Sequence, residues 1–246
     1  MTPPLVDVNQ VGIRFGSFDA VSDVSLSVAD GEIVTLVGPS GCGKSSVLRT
    51  VAGLETAAKG RVSLRGAAAL SFVFQDAALL PWLTVEKNVA LPLRLSGADG
   101  GSRVEEALER VGLADRPQAF PSQLSGGMRM RVSIARALVS QPDVMLMDEP
   151  FAALDELRRF DLAKLVRDIA KTRGLAVLFV THSVFEACFI SDRVLVMTPR
   201  PGRIATDITV DGDGQRSADF RESDAFAKAS AEVSTALRAA SFEVAS

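Results

Sequence analysis

Histidine occurs once in the 246 residues, at position 182, tryptophan once, at 82, and cysteine only at 42 and 188. Two cysteines so far apart exclude a disulfide framework and offer nothing from which to build a metal cluster. Long apolar runs are missing as well; none approaches the roughly 18 to 20 residues a membrane-spanning helix needs. The start, Met1-Thr2-Pro3-Pro4-Leu5, has neither the basic opening nor the apolar block of a secretory signal, so a cytoplasmic location is expected. Basic residues form no stripe: 27 Lys and Arg stand against 30 Asp and Glu, a formal net charge of -3. That argues against nucleic acid as the main partner and against a polybasic membrane anchor. The imbalance belongs to residues 207–246, which hold eight acidic and four basic side chains; the first 206 are close to neutral.

What the chain does have is concentrated near residues 33–53. Ile33-Val34-Thr35-Leu36-Val37 reads as a buried strand, and residues 45–52 have helical character up to Gly53. Between them, Gly38-Pro39-Ser40-Gly41-Cys42-Gly43-Lys44-Ser45-Ser46 matches G-x-x-x-x-G-K-[ST]. The order strand, glycine-rich loop, helix is the setting this motif requires. Glycines let the backbone curl so that successive N–H groups point inward, and the following helix adds positive potential at its N-terminus. Lys44 can reach the β- and γ-phosphates of a nucleotide, and the Ser45 hydroxyl can ligate Mg²⁺. An ordinary glycine-rich turn is the plain alternative, and the complete motif in its setting outweighs it.

At 47% hydrophobic and 23% charged, the composition is that of a globular core, and the length fits one α/β domain with a helical insertion, or two small domains. Residues 5–11 and 24–28 read as strands, with Asp30-Gly31 a turn into the next. Phe15, beside Gly16, is either core or a stacking surface for adenine. Residues 60–64 and 70–74 are further strands, the second ending at Gln75-Asp76. From 77 to 94 the pattern is helical, broken by Pro81 and Pro92; residues 98–102 form a loop, and 103–111 an amphipathic helix. A mainly helical insertion is therefore expected from about residue 77 to 140. A helix over 129–139 precedes the apolar strand 144–147, which runs into Asp148-Glu149-Pro150. Leu154-Asp155 opens a helix to about Thr172. The apolar strand 175–180 ends at Thr181-His182-Ser183, and 193–197 is one more strand, followed by a turn at 199–203. Residues 215–246 are alanine-rich, with Phe226, Val233 and Leu237 spaced to share one helical face and dock on the domain. Strands alternating with helices imply an α/β fold with a mainly parallel sheet covered on both faces, active groups gathering at the strand ends.

Asp148 closes an apolar strand, where its carboxylate can hold the Mg²⁺ shell near the phosphate loop, and Glu149 beside it can accept a proton from an attacking water. Gln75 and His182 also close apolar runs, so the three strand ends point to one site. Gln75 can offer an amide oxygen to Mg²⁺ or orient water; His182 can donate to a γ-phosphate. Leu124-Ser125-Gly126-Gly127-Met128 places a serine and two glycines ahead of a helix, a second anion-binding terminus. Either two nucleotides bind, or two chains share sites head to tail.

Taken in order, these motifs resemble the ATP-binding cassette (ABC) ATPases over about residues 5–206. Gly38, Pro39, Ser40, Gly41, Cys42, Gly43, Lys44, Ser45 and Ser46 fall on Walker A, Gln75 on the Q-loop glutamine and Ser125, Gly126 and Gly127 on the signature. Residues 144–149 match Walker B, Ala153-Leu154-Asp155 the D-loop, His182 the switch histidine and Phe15 the adenine-stacking aromatic. The resemblance implies a P-loop NTPase fold with N-terminal antiparallel strands, ATP and Mg²⁺ as cofactors, and a homodimer in which the signature of one subunit closes on ATP held by Walker A of the other. It also implies catalytic roles for Lys44, Gln75, Glu149 and His182, nucleotide contact by Asp155, and an integral membrane permease served by a solute-binding protein. The protein would then sit peripherally on the cytoplasmic face of the cell membrane. Residues 74–85 and Pro199-Arg200-Pro201-Gly202-Arg203-Ile204 look like the nitrate/sulfonate/taurine importer branch. Met128, Met130, Ser46 and Ser183 depart from the residues common in the wider family. Residues 207–246 extend beyond the cassette. The rival class, a soluble cassette protein acting on nucleic acid or ribosomes, usually carries coiled-coil insertions, paired cassettes or basic patches, none of which is present; a nucleotide-dependent regulator that does not cycle is opposed by Glu149 and His182.

Overall fold

The computed structural model describes residues 3–98, 100–212 and 216–242. Asp99, in an expected loop, and Gln215 and residues 243–246, at the ends of the expected C-terminal helix, lie outside the described residues, as do Met1 and Thr2.

Two sheets form the frame. The smaller has order β2-β1-β4, from β1 (Val6–Phe15), β2 (Phe18–Val28) and β4 (Lys59–Leu64), all antiparallel. The larger has order β5-β6-β7-β3-β8-β9, from β3 (Ile33–Val37), β5 (Leu70–Val73), β6 (Val144–Asp148), β7 (Ala176–Thr181), β8 (Arg193–Met197) and β9 (Ile204–Thr209). It is parallel except for the β8–β9 pair. Every residue of β3, β6 and β7 is buried, which is why these strands read as near-continuous apolar runs instead of alternating. Within β3 and β7 the side chains divide between two cores. Val34, Leu36, Leu178 and Val180 pack toward the small sheet and α1 (Lys44–Val51), while Ile33, Val177 and Phe179 pack toward α5 (Gly126–Leu138) and α6 (Glu156–Arg173). Each such side chain contributes about 1.5–3 kcal/mol by leaving water.

Several bounds differ from those expected, each for a physical reason. Strand β1 continues past Val11 to Phe15 because irregularities at Gln10, whose φ is 50°, re-register the pairing where the apolar alternation fails. Helix does not begin at Ala77. Residues 77–84 are irregular, held by buried Asn88, whose side chain accepts from the Leu80 N–H and donates to the carbonyls of Leu80, Leu83 and Thr84. Short helices α2 (Val85–Val89) and α3 (Leu91–Leu95) follow, with Pro92 in the first turn of α3, where its missing N–H costs nothing. Helix α4 (Gly101–Arg110) completes this region, and α5 starts three residues before the expected Arg129, at Gly126.

Strand β9 and α7 (Val184–Ile190) went unseen in the sequence. The first is mostly exposed and polar, and the second is too short and too buried on all sides to show a helical period. Helix α8 (Asp224–Phe242) packs on α7, β8 and β9, with Val233 fully buried and Phe226 and Leu237 partly so; a 3-10 turn over Ala218–Glu222 stands where the sequence predicts the start of the helix.

Candidate active site

The order β6-β7-β3 sets three strand ends side by side. In register, Asp148 pairs with Val180 and Val37 with Thr181, so the loop after β3, the carboxylates after β6 and the histidine after β7 emerge together. The loop 38–43 leads into α1, whose N-cap is Gly43 with φ 103°. A Cβ there would lie 2.4 Å from Val21 Cγ2, so both the conformation and the close approach of β2 call for glycine. Lys44 is buried, and its ammonium donates to the carbonyls of Gly38 at 2.8 Å and Pro39 at 3.0 Å. Cys42 is buried in the loop, and that burial pushes its thiol above the usual range despite nearby Lys44.

The Ser45 hydroxyl donates to Asp148 Oδ1 at 2.6 Å, and Arg49 lies 3.9 Å from the other oxygen. Two hard oxygen donors, one an almost buried carboxylate, suit Mg²⁺. Among the described residues no group of three His, Cys, Asp or Glu could hold a metal ion.

Glu149 has a left-handed backbone, φ 44°, and its N–H donates to the Val180 carbonyl at 3.0 Å. A non-glycine residue held there costs on the order of 1–3 kcal/mol. The turn brings Glu149 Oε2 to 2.9 Å from His182 Nδ1. Behind the histidine, the Thr181 hydroxyl donates to buried Glu186, which also pairs with Arg159 at 3.2 Å. Burial raises the Glu186 carboxyl above its usual range, against the opposing pull of Thr181 and Arg159. Ser183 is the N-cap of α7, accepting from the Glu186 N–H. Met130 is buried against the helical region and Met128 partly so.

A cavity of about 250 Å³ is lined by Phe15, Phe18, Ala20, Ser40, Gly41, residues 43–46, Glu149 and Arg200. Phe15 is 49% exposed, so the core alternative for it falls away. The structure thus brings together Lys44, Ser45, Ser46, Asp148, Glu149, His182 and Phe15. Ser40, Gly41 and Gly43 of the loop line the same cavity, whereas Gln75, Ser125, Gly126, Gly127 and Asp155 are not part of its lining. Gln75 and Gly126 line a separate cavity of about 520 Å³ with Ala153 and Leu154. Ser125 caps α5 by accepting from the Met128 N–H, and Gly127 lies against Arg158. Asp155 caps α6, accepting from the Arg158 N–H at 3.0 Å. Phe18 and Arg200 escaped the sequence reading as site residues; the only signal was the Pro199–Arg203 turn, noted there as a mark of one branch.

The chain is similar to known proteins over most of its length. Residues 21–152 match the profile of the ABC transporter family. The chain is 44% identical over 219 residues to the aliphatic sulfonates import ATP-binding protein SsuB 2 of Burkholderia cenocepacia, covering 86% of this chain and 80% of that one. It is 40% identical over 214 residues to SsuB of Bacillus licheniformis, covering 84% of each. Among solved structures, the dimeric post-hydrolysis state of the ATP-binding cassette MJ0796, bound to ADP and Pi, superposes with a TM-score of 0.73 at 30% identity, over 85% of this chain and all of that one. The cassette cbiO1 from Clostridium perfringens, part of a cbiONQ transporter complex, shares the fold at a TM-score of 0.77 and 24% identity, over 85% of this chain and 89% of that one.

Proposed function

The chain belongs to the ABC transporter family as an ATP-binding, ATP-hydrolysing subunit, and from that premise we propose that it powers import of a small aliphatic sulfonate. The carrying observation is the cluster at the ends of β3, β6 and β7: Lys44 in its loop, Ser45 bonded to Asp148, and Glu149 bonded to His182. The names of the relatives at 40–44% identity support the sulfonate cargo.

In this reading Lys44 and the N–H groups of residues 40–45 hold the polyphosphate, and Phe15 takes the base. Ser45 and Asp148 hold Mg²⁺, which when bound neutralises phosphate charge. Glu149 orients a water and accepts its proton. With His182 Nδ1 engaged by Glu149, Nε2 is the ring nitrogen left to meet the γ-phosphate. Bond cleavage then proceeds by positioning and charge stabilisation, without a covalent intermediate. Ser125, Gly126, Gly127 and Asp155 lie outside the lining of their own chain's loop cavity, which supports a head-to-tail homodimer in which they complete the partner's site, with Gln75 joining at closure.

The same reading docks an integral membrane permease, served by a solute-binding protein, on the face around residues 75–89. Trp82 is 70% exposed there, and a neighbouring groove is lined by Phe72, Phe74, Leu91, Pro92 and Leu95. None of the described helices is long and apolar enough to cross a membrane; in this reading the chain is held at the cytoplasmic face by that partner. On the same reading the cassette is residues 5–206, with its helical insertion at about 77–140, and residues 207–246 are an extension, although β9 carries the large sheet across that boundary to Thr209.

Purification from detergent-solubilised membranes of the native cell, with ATP and the Glu149→Gln change to hold the pair closed, tests this. Recovery of a polytopic membrane protein together with loss of growth on sulfonate sulfur after gene deletion is the expected result. Recovery only with ribosomes or DNA would overturn it.

A further inference from the structure

The turn between β8 and β9 reaches back over the phosphate loop. The Gly202 N–H donates to the Ala20 carbonyl at 3.0 Å, and its own carbonyl accepts from the Ser22 N–H at 2.9 Å. A Cβ on Gly202 would lie 2.0 Å from the Cys42 carbonyl oxygen, so the turn presses directly on the loop backbone and only glycine fits. This contact fixes Arg200. Its Nε–H donates to the Gly41 carbonyl, and its guanidinium lies 4.9 Å from the centre of the Phe18 ring. Arg200 also lines the cavity that contains Lys44, Ser45 and Phe15.

A guanidinium carries five N–H donors in a planar fork. One is spent on Gly41; among the described residues the rest have no protein acceptor. Neither a carboxylate nor any other anion of the described chain pairs with this charge, although the chain has more acidic than basic residues. A permanently charged fork, fixed by a ring beneath it and a carbonyl beside it, and opening on a phosphate-binding cavity, has the geometry and charge for phosphate oxygens.

We propose that Arg200 is a nucleotide-binding residue, a second cationic anchor for the phosphates beside Lys44, delivered by the turn at residues 199–203. The proposal rests on the nucleotide reading of the loop given above. Its functional consequence is tighter retention of ADP and ATP by each subunit before the pair closes, so it acts on affinity more than on the chemical step.

Arg200→Ala, Arg200→Gln and Arg200→Lys, in the full chain, separate the possible roles. Glutamine can still donate to the Gly41 carbonyl but carries no charge; lysine keeps the charge. Equilibrium titration with ADP should show Kd raised about tenfold in the Ala and Gln variants, with Lys recovering most of the loss. The difference should narrow as salt rises, and unfolding midpoints without nucleotide should match the unchanged protein. Wild-type affinity in Arg200→Gln, or a fall in unfolding midpoint that tracks the loss of binding in all three, would overturn the proposal by making Arg200 a support for loop shape. Should the unchanged protein bind no ADP, or Lys44→Ala bind it as well as the unchanged protein does, the nucleotide reading itself fails, and the proposal with it.

Discussion

Glu149 Oε2 lies 2.9 Å from His182 Nδ1, across the gap between the ends of β6 and β7. The pair is held from both sides: the Glu149 backbone is tied to Val180, and α7, which begins just after the histidine, is capped by Ser183. Both backbones are fixed and the side chains are bonded to each other, so the two should act as a unit. Glu149→Gln is expected to lower steady-state ATP hydrolysis by about 10² to 10⁴-fold with ATP binding retained. His182→Ala should lose a comparable amount, and the double variant little more than the worse single one. Full additivity of the two losses would show that they act independently.

Ser45 and Asp148 share a hydrogen bond of 2.6 Å that a bound cation would replace with two coordination bonds. Asp148→Asn removes the charge and Ser45→Ala the hydroxyl. Each should raise the Mg²⁺ concentration for half-maximal hydrolysis by about tenfold or more, while binding of metal-free ADP changes far less. A magnesium titration of the ATPase rate, alongside ADP binding in chelator, checks both halves.

The phosphate loop, Asp148, Glu149 and His182 were legible in the sequence because each follows a fully apolar strand, and strands buried on both faces announce themselves by composition alone. The side-by-side order β6-β7-β3 was not legible, since it depends on crossovers that leave no local trace. Phe18 and Arg200 were hidden for a related reason: a turn far along the chain lands on the loop, and only the packed structure shows that Gly202 touches Cys42. Asn88 was equally silent. A single buried amide holding four backbone groups keeps residues 80–84 out of a helix that their periodicity alone would favour.

Trp82 is the sole tryptophan, and it is exposed. Its emission should be that of a water-exposed indole in the isolated protein and shift to shorter wavelength on assembly with the permease. ATP alone, acting at the distant loop, should move it much less. No shift in the reconstituted complex would place the docking face elsewhere.

Asp192 accepts from the Ile33 N–H at 2.8 Å and from Lys171 at 2.6 Å, and Arg167 lies 3.3 Å away. Burial works against its charge, yet Lys171, Ile33 and Arg167 together hold the carboxyl below its ordinary 3.8. A carboxyl lowered in the folded state contributes stability that is present above about pH 3.8 and lost as pH falls through the lower folded value. Asp192→Asn should therefore cost about 1–3 kcal/mol at pH 7. The gap should shrink below pH 4, as read from urea unfolding at a series of pH values.

Arg216 is a buried cation with no carboxylate at hydrogen-bond distance among the described residues, and its surroundings explain how that is tolerated. It donates to the carbonyls of Cys188 at 2.6 Å and Phe189 at 2.9 Å, in the last turn of α7, and to Val210 at 3.0 Å. A helix C-terminus with unpaired carbonyls carries negative potential, so the charge sits where the backbone favours it. The Phe220 ring lies 4.3 Å away. Nearby, Arg221 stacks on Phe160 of α6 and Phe185 of α7, the helices that follow Asp155 and His182. Arg216→Ala leaves those carbonyls without a donor and should cost about 2–4 kcal/mol. Half-exposed Arg221→Ala should cost under about 1 kcal/mol. Urea unfolding followed by backbone circular dichroism and by hydrogen exchange of the β3 and β7 amides shows where the Arg216 loss falls. A single transition shifted to lower urea means α8 unfolds with the strands it covers, so the extension is a working part of the wall behind His182. A new early transition, seen in helix signal while the β3 and β7 amides stay protected, means α8 opens alone and forms a separable layer over a self-sufficient cassette.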